Sequence, residues 1–441
     1  MPPPTDAPSS PLRRLAEIRP GEGLTTLLSA VSFAWLLCGY YLLRPTREVF
    51  GIDEGEHYEW LWTATALGTL LLTPAFGWAV SRFRRGVFVP AVYLLAAALL
   101  VGFWAAHAAS EGTARLLVGY AFYIFVSVLA VFATAVFWGL MADGHSDEKA
   151  RRLFGLIAVG GTLGALGGSA LAGALNQVLA PRDLILAGAG FYATAVFFVA
   201  PLTRRLGGAE AALGGPVPQV GLGAALEGMR LFASSRYLWL IGLFLAGQTL
   251  AGTFLYIESR AYTAEVFPTR GLEEAVAAAN RTARADFFAT IDFAYNAIAL
   301  GVQLFLVGRL VRWIGIGAML ASLPLVNLAG FAMLAAGPSL LAYGIFEVLQ
   351  RGSRFAVMKP AREMLFTVLS RDEKYKAKQF LDTAVYRSTD AAWAWIDELI
   401  RGLLGPLVLK LAVLVPACAA WTGVGLALGR LNARRRAAIG D

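Results

Sequence analysis

Apolar runs of about twenty residues recur along the whole chain and are separated by short polar stretches. Wound as helices, such runs match the hydrocarbon thickness of a bilayer, roughly 30 Å at about 1.5 Å per residue. The pattern predicts twelve membrane helices, near residues 25–43, 58–80, 87–106, 115–141, 154–175, 184–202, 237–257, 287–308, 316–336, 340–358, 380–400 and 406–428. The eighth and eleventh carry the most polar residues.

Composition agrees. Of 441 residues, 57% are hydrophobic and 15% charged, against about a quarter charged in an ordinary soluble domain. Basic residues set the orientation, because arginine and lysine collect on the cytoplasmic side. With both termini inside, the inner segments hold most of the 38 basic residues. Arg82, Arg84 and Arg85, Arg204 and Arg205, Lys374, Lys376 and Lys378, and Arg434, Arg435 and Arg436 are among them. The first outer loop is acidic, with Asp53, Glu54, Glu56 and Glu59. This placement predicts a multi-pass protein of a bacterial-type inner membrane. It accounts for the net charge of +8 without nucleic acid as a partner. Residues 1–24 are Pro-rich and polar, show no signal-peptide pattern, and read as a cytoplasmic tail. Cys38 and Cys418 lie far apart in apolar stretches, and His57, His107 and His145 flank helix ends. Neither set has disulfide or metal spacing, so no metal or cofactor is expected.

The chain reads as a duplication. Asp147-Glu148-Lys149 follows the fourth span and Asp372-Glu373-Lys374 the tenth. Tyr41 to Arg44 with Glu48 and Phe50 at the end of span one has a counterpart in Tyr256 to Arg260 with Glu265 and Phe267 at the end of span seven. Matched landmarks of this kind predict two pseudo-symmetric six-helix bundles related by an axis along the membrane normal, the major-facilitator architecture. The expected boundaries are 25–205 and 237–430, with a Gly/Pro-rich linker at 206–236 and a basic tail at 431–441. Span five carries Gly155, Gly160, Gly161, Gly164, Gly167, Gly168 and Gly173. Small residues at such spacings let helices approach closely in lipid, as static packing or as a sliding surface. No Lys-Ser/Thr ending makes this a phosphate loop.

Ionisable residues inside membrane helices are costly and mark function or internal pairing. Arg44, Arg47 and Glu48 stand at the end of span one. Span eight begins with Asp286 and continues Asp292, Asn296 and Gln303 near one stripe. Span ten has Glu347 and Arg351 at i,i+4, where they neutralise one another, and Arg354 without such a partner on its own helix. Span eleven carries Asp382, Arg387, Asp390, Asp397 and Glu398. Arginines lining a cavity suit phosphate or carboxylate, which a guanidinium binds through two parallel hydrogen bonds. Tyr120, Tyr123, Phe132, Phe137 and Trp138 on span four either pack or stack a base.

At these charged stretches the chain resembles the ATP/ADP translocase family. Leu43-Arg44-Pro45-Thr46-Arg47-Glu48-Val49 is similar to the family's Leu-Arg-x-x-Lys-Asp-x run. Phe137-Trp138-Gly139 and Glu148-Lys149-Ala150-Arg151-Arg152-Leu153-Phe154 resemble its Phe-Trp-Gly and Glu-Ala-Lys-Arg-Phe-Tyr elements. The longest likeness joins Arg354-Phe355-Ala356-Val357-Met358-Lys359-Pro360-Ala361-Arg362-Glu363-Met364 to Lys374-Tyr375-Lys376-Ala377-Lys378 and Asp382. The resemblance implies nucleotide exchange, with Arg47, Lys376 and Lys378 binding phosphates and Asp286 replacing a family acid. Two positions depart from the pattern: Val126 stands where the family has a glutamate in span four, and Arg47 where it has lysine.

The expected function is therefore secondary transport of an anionic solute, nucleotide first, by alternating access and as a monomer. Arg44, Arg47, Asp286, Asn296, Arg351, Arg354, Lys376, Lys378 and Arg387 are the expected solute contacts. Glu48, Asp292, Glu347 and Asp382 are the expected proton- or charge-coupling groups. A proton-coupled carrier of another solute, and a membrane sensor with structural ion pairs, are the alternatives. No nucleophile–base pair or ATP-hydrolysing motif suggests an enzyme.

Overall fold

A computed structural model describes residues 19, 21–52, 58–145, 147–213, 229–305, 307–369, 377 and 380–439. The described chain is helical. α1 (Gly23–Ile52), α2 (Tyr58–Arg82), α3 (Arg85–Ala109), α4 (Gly112–Gly144), α5 (Asp147–Asn176) and α6 (Leu184–Leu213) come first. α7 (Arg236–Val266), α8 (Glu274–Phe305), α9 (Val307–Ala336) and α10 (Leu340–Gly352) follow. α10 runs through a π-helical turn at Ser353–Met358 into α11 (Lys359–Leu365). A second π turn at Leu381–Val385 opens α12 (Tyr386–Leu403), and a third at Leu409–Leu414 leads into α13 (Val415–Ile439).

Eight of the described helices are long and apolar enough to cross a membrane. Those that fall short include α8, α10 and α12, each of which carries several charged residues. The first helix does not end at residue 43; it continues through Pro45 to Ile52, so Arg44, Arg47 and Glu48 are internal. The eighth begins at Glu274, well before residue 287, because its Ala-rich, polar opening is also helical. α9 is broken at Gly315, whose φ of 72° only glycine adopts readily, so its apolar part starts where expected. α6 extends to Leu213, into the expected linker, whose residues 214–228 lie outside the described set.

Helix starts and ends follow local chemistry. The Ser235 hydroxyl accepts from the Leu238 N–H at the start of α7, and that of Ser339 from Ala342 N–H at the start of α10. The far end of α7 is capped by a residue with no sequence signal. Arg284 on α8, 2% exposed, donates from Nε to the Phe267 carbonyl at 2.9 Å. Carbonyls at a helix C-terminus lack a partner within the helix, so such a donor satisfies one of them.

The chain resolves into two compact units. One comprises Met1–Thr46, Leu72–Val118 and Phe125–Pro216; the other comprises Arg47–Leu71, Gly119–Ile124 and Val217–Asp441.

In the first unit α3 packs along α6, and the glycine face of α5 lies on α1. A Cβ added at Gly160, Gly164 or Gly168 would collide with the carbonyl oxygens of Ala30, Ala34 and Cys38 respectively. Both rows repeat every four residues, so two helices meet backbone to backbone over two turns. Gly164→Leu is therefore expected to abolish stable folding, while Gly167→Leu, with open space at its Cβ, is tolerated. Yield and monodispersity of the two purified variants check this; equal behaviour would refute the packing. Phe33 stacks on Phe137 at 4.5 Å, and Trp138 meets Phe154 at 5.3 Å. Phe132 packs on Phe76 at 5.1 Å. Phe137, 1% exposed, is thus committed to packing and does not present a face to a base.

In the second unit α9 packs along α13, matching the pairing of α3 with α6. Gly317 and Gly429 permit the approach, since a Cβ on Gly429 would strike the backbone of Gly317. Its core includes Phe244, Phe254, Met319, Phe331, Phe346 and Trp421.

Candidate functional site

The second unit brings six charged side chains from four helices into one alternating row. Arg47 and Glu48 come from α1, Arg260 from α7, Glu347 and Arg351 from α10, and Asp292 from α8. Arg47 Nη2 pairs with Glu48 Oε1. Glu48 Oε2 accepts from Arg260 Nε at 3.1 Å. Arg260 Nη1 pairs with Glu347 Oε1. Arg351 completes the row, holding Glu347 Oε2 at 2.5 Å and Asp292 Oδ1 at 2.7 Å. The row is neutral, three guanidiniums against three carboxylates. Arg260 is 1% exposed, Glu347 1%, Glu48 2% and Asp292 1%, so each charge depends on its neighbours rather than on water.

Aromatic groups line this row. Tyr256 donates to Glu48 Oε2 at 2.6 Å and shares a 2.6 Å hydrogen bond with Tyr123. Trp62 Nε1 donates to the Tyr123 hydroxyl at 3.1 Å. The Arg260 guanidinium lies 3.9 Å from the Tyr256 ring centroid and 4.5 Å from that of Phe288. Ring faces carry negative charge density and supplement the carboxylates around a desolvated cation. Asn296 turns inward on α8, but its Nδ2 donates to the Asp292 carbonyl one turn back at 2.7 Å.

A second group, in the same unit, has a different balance. Arg354 sits in the π turn after α10. It donates to the Tyr386 hydroxyl, and with the Gln248 amide oxygen turned toward it, to that oxygen at 3.2 Å and 3.3 Å. Its guanidinium is 5.4 Å from the Phe355 ring centroid. Among the described residues no carboxylate forms an ion pair with it. Asp390 on α12 is an acid in electrostatic reach, and it is shared with Arg387. Asp390 also accepts from Thr253 at 3.3 Å. Asp390 thus feels two arginines at once, Arg354 and Arg387. The π turn matters here, because its extra residue in a turn re-aims the side chains that follow.

The other expected contacts fall elsewhere. Arg44 belongs to the first unit, half-buried, 5.7 Å from the Tyr41 ring. Asp286 is half-buried on α8, six residues before Asp292 and so roughly 240° around the helix from it. Asp382 pairs with Arg362 at 3.1 Å. Lys376 and Lys378 lie outside the described residues, as does the Gln303 side chain. Sequence reasoning passed over Arg260, which carries the centre of the row, and Tyr256. Their one signal was the repeat itself: Arg260 is the counterpart of Arg44 in the matched landmark.

No family model matches the sequence, and no curated protein matches it. Solved structures do. The chain is similar to the nucleoside transporter NupG, at TM-score 0.59 and 13% identity over 93% of this chain and 99% of that one. It is also similar to the human organic anion transporter MFSD10, at TM-score 0.52 and 15% identity over 94% of this chain and 100% of that one. The fold is thus that of the major-facilitator transporters, and the chain is an all-α, multi-pass membrane protein.

Proposed function

We propose that this protein is a secondary transporter of an anionic solute, with nucleotide the first candidate. It would work by alternating access between two six-helix halves, at 25–205 and 237–430, in an inner membrane with both termini cytoplasmic. The observation that carries this reading is the Arg354 group. Every arginine of the buried row is matched to a carboxylate, whereas Arg354 meets a tyrosine hydroxyl and an amide and shares one acid with Arg387. Unmatched positive charge at membrane depth calls for an anion. Tyr386 and Phe355 beside the guanidinium offer ring faces to a base or another flat group.

Roles divide accordingly. Arg354 and Arg387 take the charged end of the solute, with Lys376 and Lys378 joining them as the family resemblance implies. Glu48, Asp292 and Glu347 hold Arg47, Arg260 and Arg351 in charge balance. Exchange of partners within that row as the solute arrives gives the carrier its second state. The resemblance to ATP/ADP translocases supports a nucleotide. Val126, apolar and fully buried where that family has glutamate, favours a second reading, a non-nucleotide organic anion.

Proteoliposomes discriminate the two. Vesicles loaded with ADP are expected to take up labelled ATP, and ATP outside should release labelled ADP. Uptake of labelled organic anions that ignores ADP loading would favour the second reading. Indifference to every anion tested would overturn both.

A further inference from the structure

The π turn that holds Arg354 brings a second cation round to it. Lys359, the first residue of α11, donates its backbone N–H to the Arg354 carbonyl, five residues back. In an ordinary α-helix, residues five apart point about 140° away from one another. The i→i+5 bond of a π turn closes much of that gap and sets the two on neighbouring positions of one face. The side chains follow the backbone. Lys359 Nζ lies 6.0 Å from the Phe355 ring centroid, and the Arg354 guanidinium lies 5.4 Å from the same centroid. We infer, on the reading that the Arg354 group binds an anion, that Lys359 is its second anion-holding residue and selects solutes with two linked anionic groups over solutes with one.

The charges around Lys359 leave it available. Its side chain is exposed, and among the described residues no carboxylate forms an ion pair with it. The acids in its electrostatic reach are Glu363 and Asp382, and Arg362 pairs with both, at 3.3 Å and 3.1 Å. The cations in reach are Arg362 and Arg354. An ammonium and a guanidinium drawn to one ring repel each other, and the more so where water is thin. The ring face offsets part of that repulsion. An anion that touches both cations removes it.

The two cations suit different tasks. Arg354 is half-buried and oriented by the Tyr386 hydroxyl and the Gln248 amide. Its planar fork grips one phosphate or carboxylate through two parallel hydrogen bonds. Lys359 carries a compact charge on a flexible stem, with three donors that adapt to a second group. Phe355, which both approach, is stacked on Tyr295 of α8 at 6.1 Å, so the ring that spaces them is itself held. A solute with one anionic group satisfies Arg354 and leaves Lys359 in water. A diphosphate or a dicarboxylate engages both, and its second contact forms within a complex already made, at high effective concentration.

Paired anions test this. The rise in Tm of the full chain in detergent is titrated, at constant ionic strength, with inorganic pyrophosphate against inorganic phosphate and with succinate against acetate. The wild type is expected to bind the two-group member of at least one pair about tenfold more tightly, and Lys359→Gln to bring that ratio down to about twofold. Lys359→Arg keeps the charge and should restore most of the ratio. Arg434→Gln removes a cytoplasmic charge elsewhere and should leave the ratio as in the wild type. A ratio that survives Lys359→Gln, or that Arg434→Gln lowers as much, would overturn the role of Lys359. So would a wild type that binds anions without preferring two groups. In each of those cases the anion site at Arg354 stands. A wild type whose Tm answers to none of the four anions would remove both.

Discussion

Arg260→Met is expected to destabilise the protein more than any other single substitution in the buried row. The methionine fills similar volume but leaves Glu48 and Glu347 facing each other without the cation between them. Breaking a buried pair by removing one partner costs about 3–5 kcal/mol, and here one side chain serves two carboxylates. Total stabilities of about 5–15 kcal/mol leave little margin. A large fall in Tm, or failure to purify a monodisperse protein, is the expected result. The companion variant settles the cause. Arg47→Met/Glu48→Gln/Arg260→Met/Glu347→Gln removes two charges of each sign and leaves Arg351 paired with Asp292, and replacing a buried ionic group by neutral side chains is often close to neutral. It should recover much of the lost stability, though not the carrier's switching. A wild-type Tm for Arg260→Met would show that the row carries no such load.

Arg354→Gln is the second, and its effect falls on binding rather than on stability. The side chain is half-buried and its described partners are neutral, so glutamine leaves no charge orphaned. What is lost is the guanidinium's grip on the solute. A charge-assisted hydrogen bond contributes about 1.5–3 kcal/mol, and each 1.4 kcal/mol is about tenfold in affinity. Binding of the anion is therefore expected to weaken by about 10–100-fold. Titrations with ATP, inorganic triphosphate and organic anions, read as the rise in Tm that a native-state ligand produces, measure it. Arg354→Lys keeps charge but not the planar fork and should lie between. Arg387→Gln should weaken binding less, because Asp390 and Arg354 remain. An Arg354→Gln protein that answers to anions like the wild type would move the site elsewhere in the molecule.

Much of the architecture was legible along the chain. Apolar runs of membrane length, the acidic and basic loops and the repeated landmarks require only local properties: the length of a run, the sign of a loop, the recurrence of a motif. The i,i+4 pair of Glu347 and Arg351 was readable for the same reason, since one helix determines it. The glycine face of α5 was readable as a contact surface, but its partner row on α1 was not. Helix ends were least legible. Arg44, Arg47 and Glu48 look like the end of a span because charge normally marks the interface. The helix instead runs on to Ile52, with Arg47 and Glu48 neutralised internally.

By itself, then, the sequence determined that this is a helical membrane protein, how its spans are spaced, and which charged residues must find partners. Tertiary structure decided who those partners are. Arg260 meets Glu48 across 212 positions of chain and Glu347 across 87, and Lys410 meets Glu258. Arg354 is set apart from the matched arginines only by what the other helices place around it. The physical reason is that a buried charge is stabilised through distances of a few ångströms, set by how separate helices pack, while the order of residues specifies neighbours along one helix alone.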